Sequence, residues 1–296
     1  MKIFSELPIR ARGFLRFAIV ALVFFAAIPL RADDARPIED ASKITNAGVA
    51  NTKLPTLFIV GDSTVRNGTR GMRGWGEVIA PYFDRTKINV VNRAIGGRSS
   101  RTFQTEGRWN KVLAEMKPGD FVLIQFGHND GGEIAKGSRP RASLKGIGDE
   151  SREVTIESTG KKEVVHTFGW YMRKYASDAK AKGATPIICS LVPRKIWKDG
   201  KIVRASETYG KWAAEAARAE DALFVDLNEI IARQYDNLGA EKVEPLFADE
   251  HTHTTQAGAE LSAACVISGL KGLEKNPLAP YFSEKADSVA PFKLTE

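Results

Sequence analysis

The stretch TLFIVGDST, residues 56–64, decides the fold class of this chain. Four of its first five residues are apolar, and the run ends at Gly61. A short apolar run of this kind is typical of a parallel strand that is buried on both faces. Asp62 and Ser63, whose side chains can take part in catalysis, follow directly. The end of this strand is therefore the first place to look for a site.

The same pattern recurs along the chain. Further short apolar runs predict strands at residues 88–91, 121–125, 186–191 and 223–226. The segments around them predict helices at 75–83, 103–116, 168–182, 209–220, 227–237 and 255–271. Strands that alternate with helices require a parallel sheet with helices on both faces. We therefore predict an α/β protein, a three-layer αβα sandwich on a five-stranded parallel sheet.

Residues 131–166 depart from this alternation. Residues 153–157 and 163–166 alternate apolar and polar side chains around the turn sequence STGKK, which predicts a β-hairpin. Insertions of this length in a compact domain tend to be functional. We predict that this hairpin insertion lies beside the site, because it leaves the chain directly after the polar segment that follows the third strand.

Four polar segments follow predicted strands or precede the last helix. They are GDST at 61–64, NRAIGGR at 92–98, GHND at 127–130 and DEHTH at 249–253. Open parallel sheets bind ligands beyond the carboxyl ends of their strands, so these segments should meet at one rim. Alone, each has an ordinary explanation: Asp62 or Ser63 could cap a helix.

Together, the four segments hold the groups that a serine hydrolase needs. A serine hydroxyl is a weak nucleophile that requires an adjacent base, and histidine titrates near neutral pH. A carboxylate must orient the imidazole, and amide donors must stabilise the oxyanion. Ser63 and His253 are the candidate nucleophile and base. The backbone amides of Ser63 and the glycine loop, with the Asn129 side chain, are the candidate oxyanion donors. A metal site at His251 and His253 is the competing interpretation, but it leaves Ser63 and Asn129 without a role.

These four segments resemble the conserved blocks of the SGNH (GDSL-like) hydrolase superfamily. Three stretches, NRAIGGRSS at 92–100, FGHNDGG at 126–132 and HTHT at 251–254, resemble rhamnogalacturonan acetylesterases in particular. The resemblance implies a flavodoxin-like fold, no cofactor, no metal, and removal of acetyl groups from pectin. By position it makes Ser63 the nucleophile and His253 the base. It assigns the oxyanion hole to the Ser63 amide, the Gly97 amide and Asn129.

The orienting acid departs from the family pattern. That acid usually stands three residues before the histidine, where this chain has Glu250, and Asp249 precedes it. Either Glu250 serves, which keeps the register and is our prediction, or a local shift lets Asp249 reach the ring. Arg98, beside Gly97, is a candidate clamp for a galacturonate carboxylate, with a salt bridge inside its loop as the alternative.

The predicted function is a secreted carbohydrate O-acetylesterase that acts on an acetylated polysaccharide or oligosaccharide such as rhamnogalacturonan. Two alternatives stay open. One is another SGNH esterase of the lysophospholipase or thioesterase type, which needs an apolar acyl groove. The other is a non-catalytic sugar-binding relative. The sequence does not identify the polysaccharide, the deacetylated hydroxyl or the oligomeric state.

The first 32 residues predict an export signal. Basic residues precede the apolar run Phe17–Leu30, which is short against the roughly 20 residues of a membrane span. We therefore expect a secreted or periplasmic protein without stable membrane association, comprising an entry segment at 33–54 and a hydrolase domain at 55–296. Cleavage removes five positive charges and one negative charge, so the formal charge falls from +7 to +3. A surplus this small gives little support to nucleic-acid binding.

Cys189 and Cys265 lie in apolar stretches and are predicted to be buried free thiols.

Overall fold

A five-stranded parallel sheet forms the centre of the computed structural model, which describes residues 51–293. In chain order the strands are β1 (Thr56–Gly61), β2 (Asn89–Asn92), β3 (Phe121–Gln125), β4 (Ser151–Thr155), β5 (Lys162–His166), β6 (Thr185–Cys189), β7 (Trp197–Lys198), β8 (Lys201–Ile202) and β9 (Leu223–Val225). The helices are α1 (Ser100–Thr105), α2 (Arg108–Glu115), α3 (Phe168–Ala181), α4 (Tyr209–Ala219), α5 (Leu227–Leu238), α6 (Ala240–Val243), α7 (Gln256–Gly272) and α8 (Glu284–Asp287). The sheet order is β2-β1-β3-β6-β9, as predicted for a flavodoxin-like sandwich.

Helices cover both faces of this sheet because its strands are apolar on both sides. In β1, Leu57 and Ile59 pack into one core with α5 and α7, whereas Phe58 and Val60 pack into a second core with α2, α3 and α4. Every residue of β1 and β3 is buried. The predicted α/β three-layer fold is confirmed, and Cys189 and Cys265 are free and buried within it.

Two predicted helices are interrupted. Residues 75–83 form two short 3-10 turns, Trp75–Glu77 and Ala80–Tyr82, because Pro81 lacks the N–H that a continuous helix requires. The helix predicted at 103–116 is divided into α1 and α2 by Gly107, whose φ of +72° is incompatible with a regular helix. An unpredicted hairpin, β7–β8, turns at Asp199 and Gly200, both with positive φ, as two-residue hairpin turns require.

The insertion between β3 and α3 contains the predicted antiparallel hairpin, β4 paired with β5. It is tied to α1 by Arg101, which is 1 % exposed. Its guanidinium donates to Glu163 of β5 at 2.7 Å and to the Ala142 carbonyl at 2.6 Å. Because α1 directly follows the Gly97 loop, these bonds hold the insertion beside that loop.

None of the helices within residues 51–293 is both long and apolar enough to cross a bilayer. The predicted export signal at 1–32 and most of the predicted entry segment at 33–54 lie outside the described residues.

Candidate active site

Ser63, Gly97 and Asn129 follow three adjacent strands, β1, β2 and β3 respectively. The carboxyl ends of parallel strands lie at one edge, so the three loops meet there. A Cβ atom placed on Gly96 would lie 3.5 Å from the Cβ of Ser63, and the Asn129 side chain donates to the Arg98 carbonyl at 2.9 Å. The predicted rim is therefore present in the structure.

His253 reaches this rim from the loop before α7. Its Nε2 lies 2.8 Å from Oγ of Ser63, although 190 residues separate the two in the chain. This is the hydrogen-bond distance expected between a serine nucleophile and its base. Both side chains are half-buried, so a substrate can approach the hydroxyl.

The second ring nitrogen of His253 contacts Asp249 and not Glu250. Asp249 Oδ2 lies 2.5 Å from Nδ1 of His253. The Glu250 side chain is 91 % exposed and lies 3.6 Å from the neighbouring His251 ring. Our prediction that Glu250 bonds the His253 ring is therefore wrong, and the alternative of a local shift is correct.

Backbone hydrogen bonds explain why Asp249 holds this place. Its Oδ1 accepts from the amides of His251, Thr252 and His253 at 3.2, 2.7 and 2.8 Å, which leaves Oδ2 facing the ring. Aspartate is suited to such turns because its short side chain reaches amides two or three residues ahead. The Ala248 amide closes the same loop by donating to the His253 carbonyl at 2.8 Å.

These bonds also set the charge of Asp249. Partial burial alone would raise its pKa, but the amides of His253 and Thr252 and the His253 ring lower the pKa to about 2. The carboxylate is thus ionised at any pH at which an esterase is assayed. Because its pKa in the folded protein lies below the usual value of 3.8, its contribution to stability is present above pH 4 and is lost as the pH falls towards 2.

A buried polar network shapes the turn that carries Ser63. Asp62 is fully buried, and its Oδ1 accepts from the amide and the hydroxyl of Thr64 at 2.9 and 2.7 Å. Gln125, at the end of β3, donates to the Thr64 hydroxyl at 2.8 Å and accepts from the Trp75 ring nitrogen at 2.7 Å. The network fixes the backbone on both sides of Ser63, which places its hydroxyl at the rim.

The predicted oxyanion donors belong to loops that meet at the rim with Ser63. Gly97 has a φ of +78°, a conformation that favours glycine. Within residues 51–293, the backbone amides of Ser63 and Gly97 donate to no other group. Asn129 is 7 % exposed, and an amide NH2 has two hydrogens, so its bond to the Arg98 carbonyl leaves one hydrogen for a ligand.

Asp130 connects the Gly97 loop, through α1, to the insertion. Its Oδ1 accepts from the hydroxyls of Ser100 at 2.5 Å and Ser143 at 3.0 Å. Complete burial raises the pKa of Asp130 to about 6, against the effect of these hydrogen bonds. The carboxylate joins the first residue of α1 to the insertion, so the Gly97 loop and the insertion share one anchor.

Arg98 is held within its own loop. Its Nε donates to Glu106 Oε2 and its Nη1 to the Gly96 carbonyl, both at 3.0 Å. Arg98 thus forms a salt bridge, with Glu106 at the C-terminal end of α1 and not inside the loop, and its role as a clamp for a carboxylate stays a prediction. Within the described chain, no three His, Cys, Asp or Glu side chains are placed to hold a metal ion.

Three groups in or beside the site were not predicted. Asp249 was the weaker candidate for the acid, although the preference of aspartate for backbone turns was a usable signal. Gln125 looked like the last residue of an ordinary strand, but a polar side chain in a fully buried strand is itself informative. Arg139 and Arg141 lie in the insertion, and no pattern in the sequence indicates that they contact the Gly97 loop.

The GDSL-like lipase/acylhydrolase family matches residues 59–261, which include every group described above. The chain belongs to this family. It is therefore an enzyme of the serine esterase type, as predicted.

Members of the GDSL-like family with related sequences have assigned names. A rhamnogalacturonan acetylesterase of Emericella nidulans is 34 % identical over 220 residues, which cover 73 % of this chain and 86 % of that protein. A probable rhamnogalacturonan acetylesterase of Bacillus subtilis is 30 % identical over 224 residues, covering 73 % and 93 % respectively. The predicted resemblance to this group is thus confirmed.

The fold of this GDSL-like protein is also similar to a solved one. The crystal structure of the protein YxiM of Bacillus subtilis matches with a TM-score of 0.60 at 27 % identity. The match covers 74 % of this chain and 56 % of that one.

Proposed function

We propose that this esterase is a carbohydrate O-acetylesterase whose substrate is acetylated rhamnogalacturonan or an oligosaccharide derived from it. The observation that carries the proposal is the hydrogen-bonded series from Ser63 through His253 to Asp249, in a chain related to enzymes that bear this name. The hydrogen-bonded series supports acyl transfer as the reaction, and the named relatives support a carbohydrate as the substrate.

In the first half of the proposed reaction, Ser63 Oγ attacks the carbonyl carbon of the acetyl group. His253 Nε2 takes the hydroxyl proton, and Asp249 stabilises the imidazolium through Nδ1. The carbonyl oxygen becomes an oxyanion that accepts from the amides of Ser63 and Gly97 and from Asn129, each donor contributing roughly 3–4 kcal/mol. His253 then returns the proton to the sugar oxygen, which leaves as an alcohol.

In the second half, water replaces the sugar. His253 takes a proton from the water as its oxygen attacks the acetyl–Ser63 ester, and the same donors stabilise the second oxyanion. Collapse of this intermediate returns the proton to Ser63 Oγ and releases acetate. The cycle leaves the enzyme unchanged and requires no further reactant.

The surroundings of the site support a carbohydrate over a long acyl chain. A cavity of about 190 Å³ beside Gly97 is lined by polar and charged side chains, among them Thr102, Glu106 and Arg141. The large apolar side chains exposed within residues 51–293 are Val164, Ile196, Val203 and Leu238, and none lines this cavity. A lysophospholipase or long-chain thioesterase would need an apolar groove instead.

Acetate release measured across substrates tests the proposal. We expect the highest kcat/KM on acetylated rhamnogalacturonan oligosaccharides, lower values on acetylated xylan, and little turnover of nitrophenyl esters with long acyl chains. Unacetylated oligosaccharides serve as the blank. A preference for long-chain esters, or no acetate from any acetylated carbohydrate, would overturn the proposed substrate class while leaving the family assignment in place.

We also propose that the enzyme acts after export, with residues 1–32 removed. The basic residues followed by the apolar run Phe17–Leu30 support this. Amino-terminal sequencing of the protein recovered outside the cytoplasm should begin near Asp33. A protein found only inside cells with residues 1–32 intact would refute export.

A further inference from the structure

Two arginines of the insertion, Arg139 and Arg141, lie against the loop that supplies the Gly97 amide. Arg141 Nη1 donates to the Gly97 carbonyl at 3.1 Å. A Cβ atom placed on Gly97 would lie 3.1 Å from Arg139 Nη2 and 3.5 Å from Arg141 Nη1. Gly96, the next residue towards Ser63, is in turn close to the Ser63 side chain. Both guanidinium groups are thus separated from the nucleophile by only two glycines.

Three arginines and one glutamate line the adjoining cavity, so its lining carries a surplus of positive charge. Glu106 is the acidic residue of the adjoining cavity, and it is shared by Arg98 and Arg108, at 3.0 and 2.5 Å. Within residues 51–293, neither Arg139 nor Arg141 forms a salt bridge with a carboxylate. Burial lowers the pKa of Arg141 and the neighbouring Arg139 lowers it further, whereas the carboxylates of Asp62 and Asp130 act in the opposite direction. Such a cluster favours an anionic ligand.

The arrangement also has the shape that recognition of a carboxylate requires. Arg141 is half-buried and donates to the Gly97 carbonyl, whereas the Arg139 side chain is exposed. Guanidinium groups bind carboxylates through two parallel hydrogen bonds, which gives orientation as well as affinity. The cavity of about 190 Å³ between these arginines and α1 opens beside the oxyanion loop.

We propose that Arg139 and Arg141 form a subsite for the carboxylate of a uronic acid residue in the acetylated substrate. This rests on the proposed function and adds to it the two residues that would recognise the acidic sugar of the substrate. The subsite is built by the insertion, whereas the reacting groups are built by the sheet. Arg98, which Glu106 and the Gly96 carbonyl already engage, is not its principal cation.

Direct binding tests this proposal without depending on turnover. The probes are an unacetylated rhamnogalacturonan tetrasaccharide and the same tetrasaccharide with its carboxyl groups reduced to alcohols, each titrated calorimetrically into the full protein. We expect the acidic form to bind about tenfold more tightly, the lower range for a charged hydrogen-bonded pair in a partly exposed position. Because the site is open, added salt should reduce this preference.

Arg139 is the better position for substitution, because Arg141 also holds the Gly97 carbonyl and its loss would disturb the oxyanion loop. Arg139→Gln should reduce the tenfold preference to about twofold or less, and Arg139→Lys should keep part of it, since charge remains but the two-pronged geometry is lost. The matched control is Arg152→Gln, an exposed arginine in β4 of the same insertion. It should keep the full preference.

Two results would overturn the subsite. One is equal affinity of the wild-type protein for the acidic and reduced probes, which includes binding of neither. The other is an Arg139→Gln variant that keeps the tenfold preference. Because no acetyl group is present, these results are independent of the acetate-release assay, so failure of the subsite is distinguishable from failure of the proposed function.

Discussion

Ser63→Ala is expected to abolish ester hydrolysis, lowering kcat on an acetyl ester by about 10⁵, because removal of a triad nucleophile costs close to the whole triad contribution. The substitution removes one oxygen from a half-buried side chain, so the free energy of unfolding should change by less than about 1 kcal/mol. Kinetics on 4-nitrophenyl acetate and urea unfolding measure the two effects.

The control for this experiment is Ser177→Ala, an exposed serine in α3 that is remote from the rim. It should stay within twofold of wild type. A fluorophosphonate reagent should label the wild-type protein once, on the peptide that contains Ser63, and should not label Ser63→Ala. If that variant keeps more than about a hundredth of wild-type turnover, Ser63 is not the nucleophile, given the size of triad effects.

Asp249→Asn is expected to lower kcat by about 10⁴, the cost of a wrong histidine tautomer in a related triad. An asparagine oxygen can still accept the three backbone amides that Asp249 Oδ1 accepts, so the loop keeps its conformation. The amide NH2 then faces Nδ1 of His253 and forces that nitrogen to accept. The ring proton moves to Nε2, which can no longer take the proton of Ser63.

Glu250→Gln is the matched control, because it changes the adjacent carboxyl group in the same way. Its side chain is 91 % exposed, so we expect kcat within twofold of wild type. Equal losses in the two variants, or a larger loss in Glu250→Gln, would contradict the geometry around His253. Circular dichroism and thermal unfolding of both variants establish that the comparison concerns chemistry and not folding.

The sheet and the rim were predictable because each depends on local sequence. A buried strand is apolar regardless of its neighbours, and a parallel sheet brings the segments that follow its strands to one edge. This is why Ser63, Asn129 and the Gly97 loop could be placed together, and why the resemblance to a known family was already readable. Errors in the helices occurred at Pro81 and Gly107, where one residue overrode the surrounding pattern.

The side chain that contacts Nδ1 of His253 was mispredicted because its position depends on backbone geometry that spacing does not report. Counting back from His253 selects Glu250, but three amides that converge on Asp249 Oδ1 turn the loop one residue earlier. The contact of Arg139 with the Gly97 loop has a similar origin. It depends on how the insertion folds back, which is set by Arg101 and Asp130, and sequence patterns do not encode such long-range packing.

The way in which the insertion is attached allows substrate specificity to change separately from the catalytic residues. The insertion begins after Asp130 and ends at Thr167, the N-cap of α3. Between these points the Ser143 hydroxyl donates to the Asp130 carboxylate. A different segment that keeps these junctions, and a donor to the Gly97 carbonyl in place of Arg141, could be exchanged without moving Ser63, Gly97 or His253. Specificity in this architecture is therefore modular: an ancestor with an unchanged catalytic rim could adopt a new polysaccharide by replacing one loop, and a protein engineer can graft along the same boundaries.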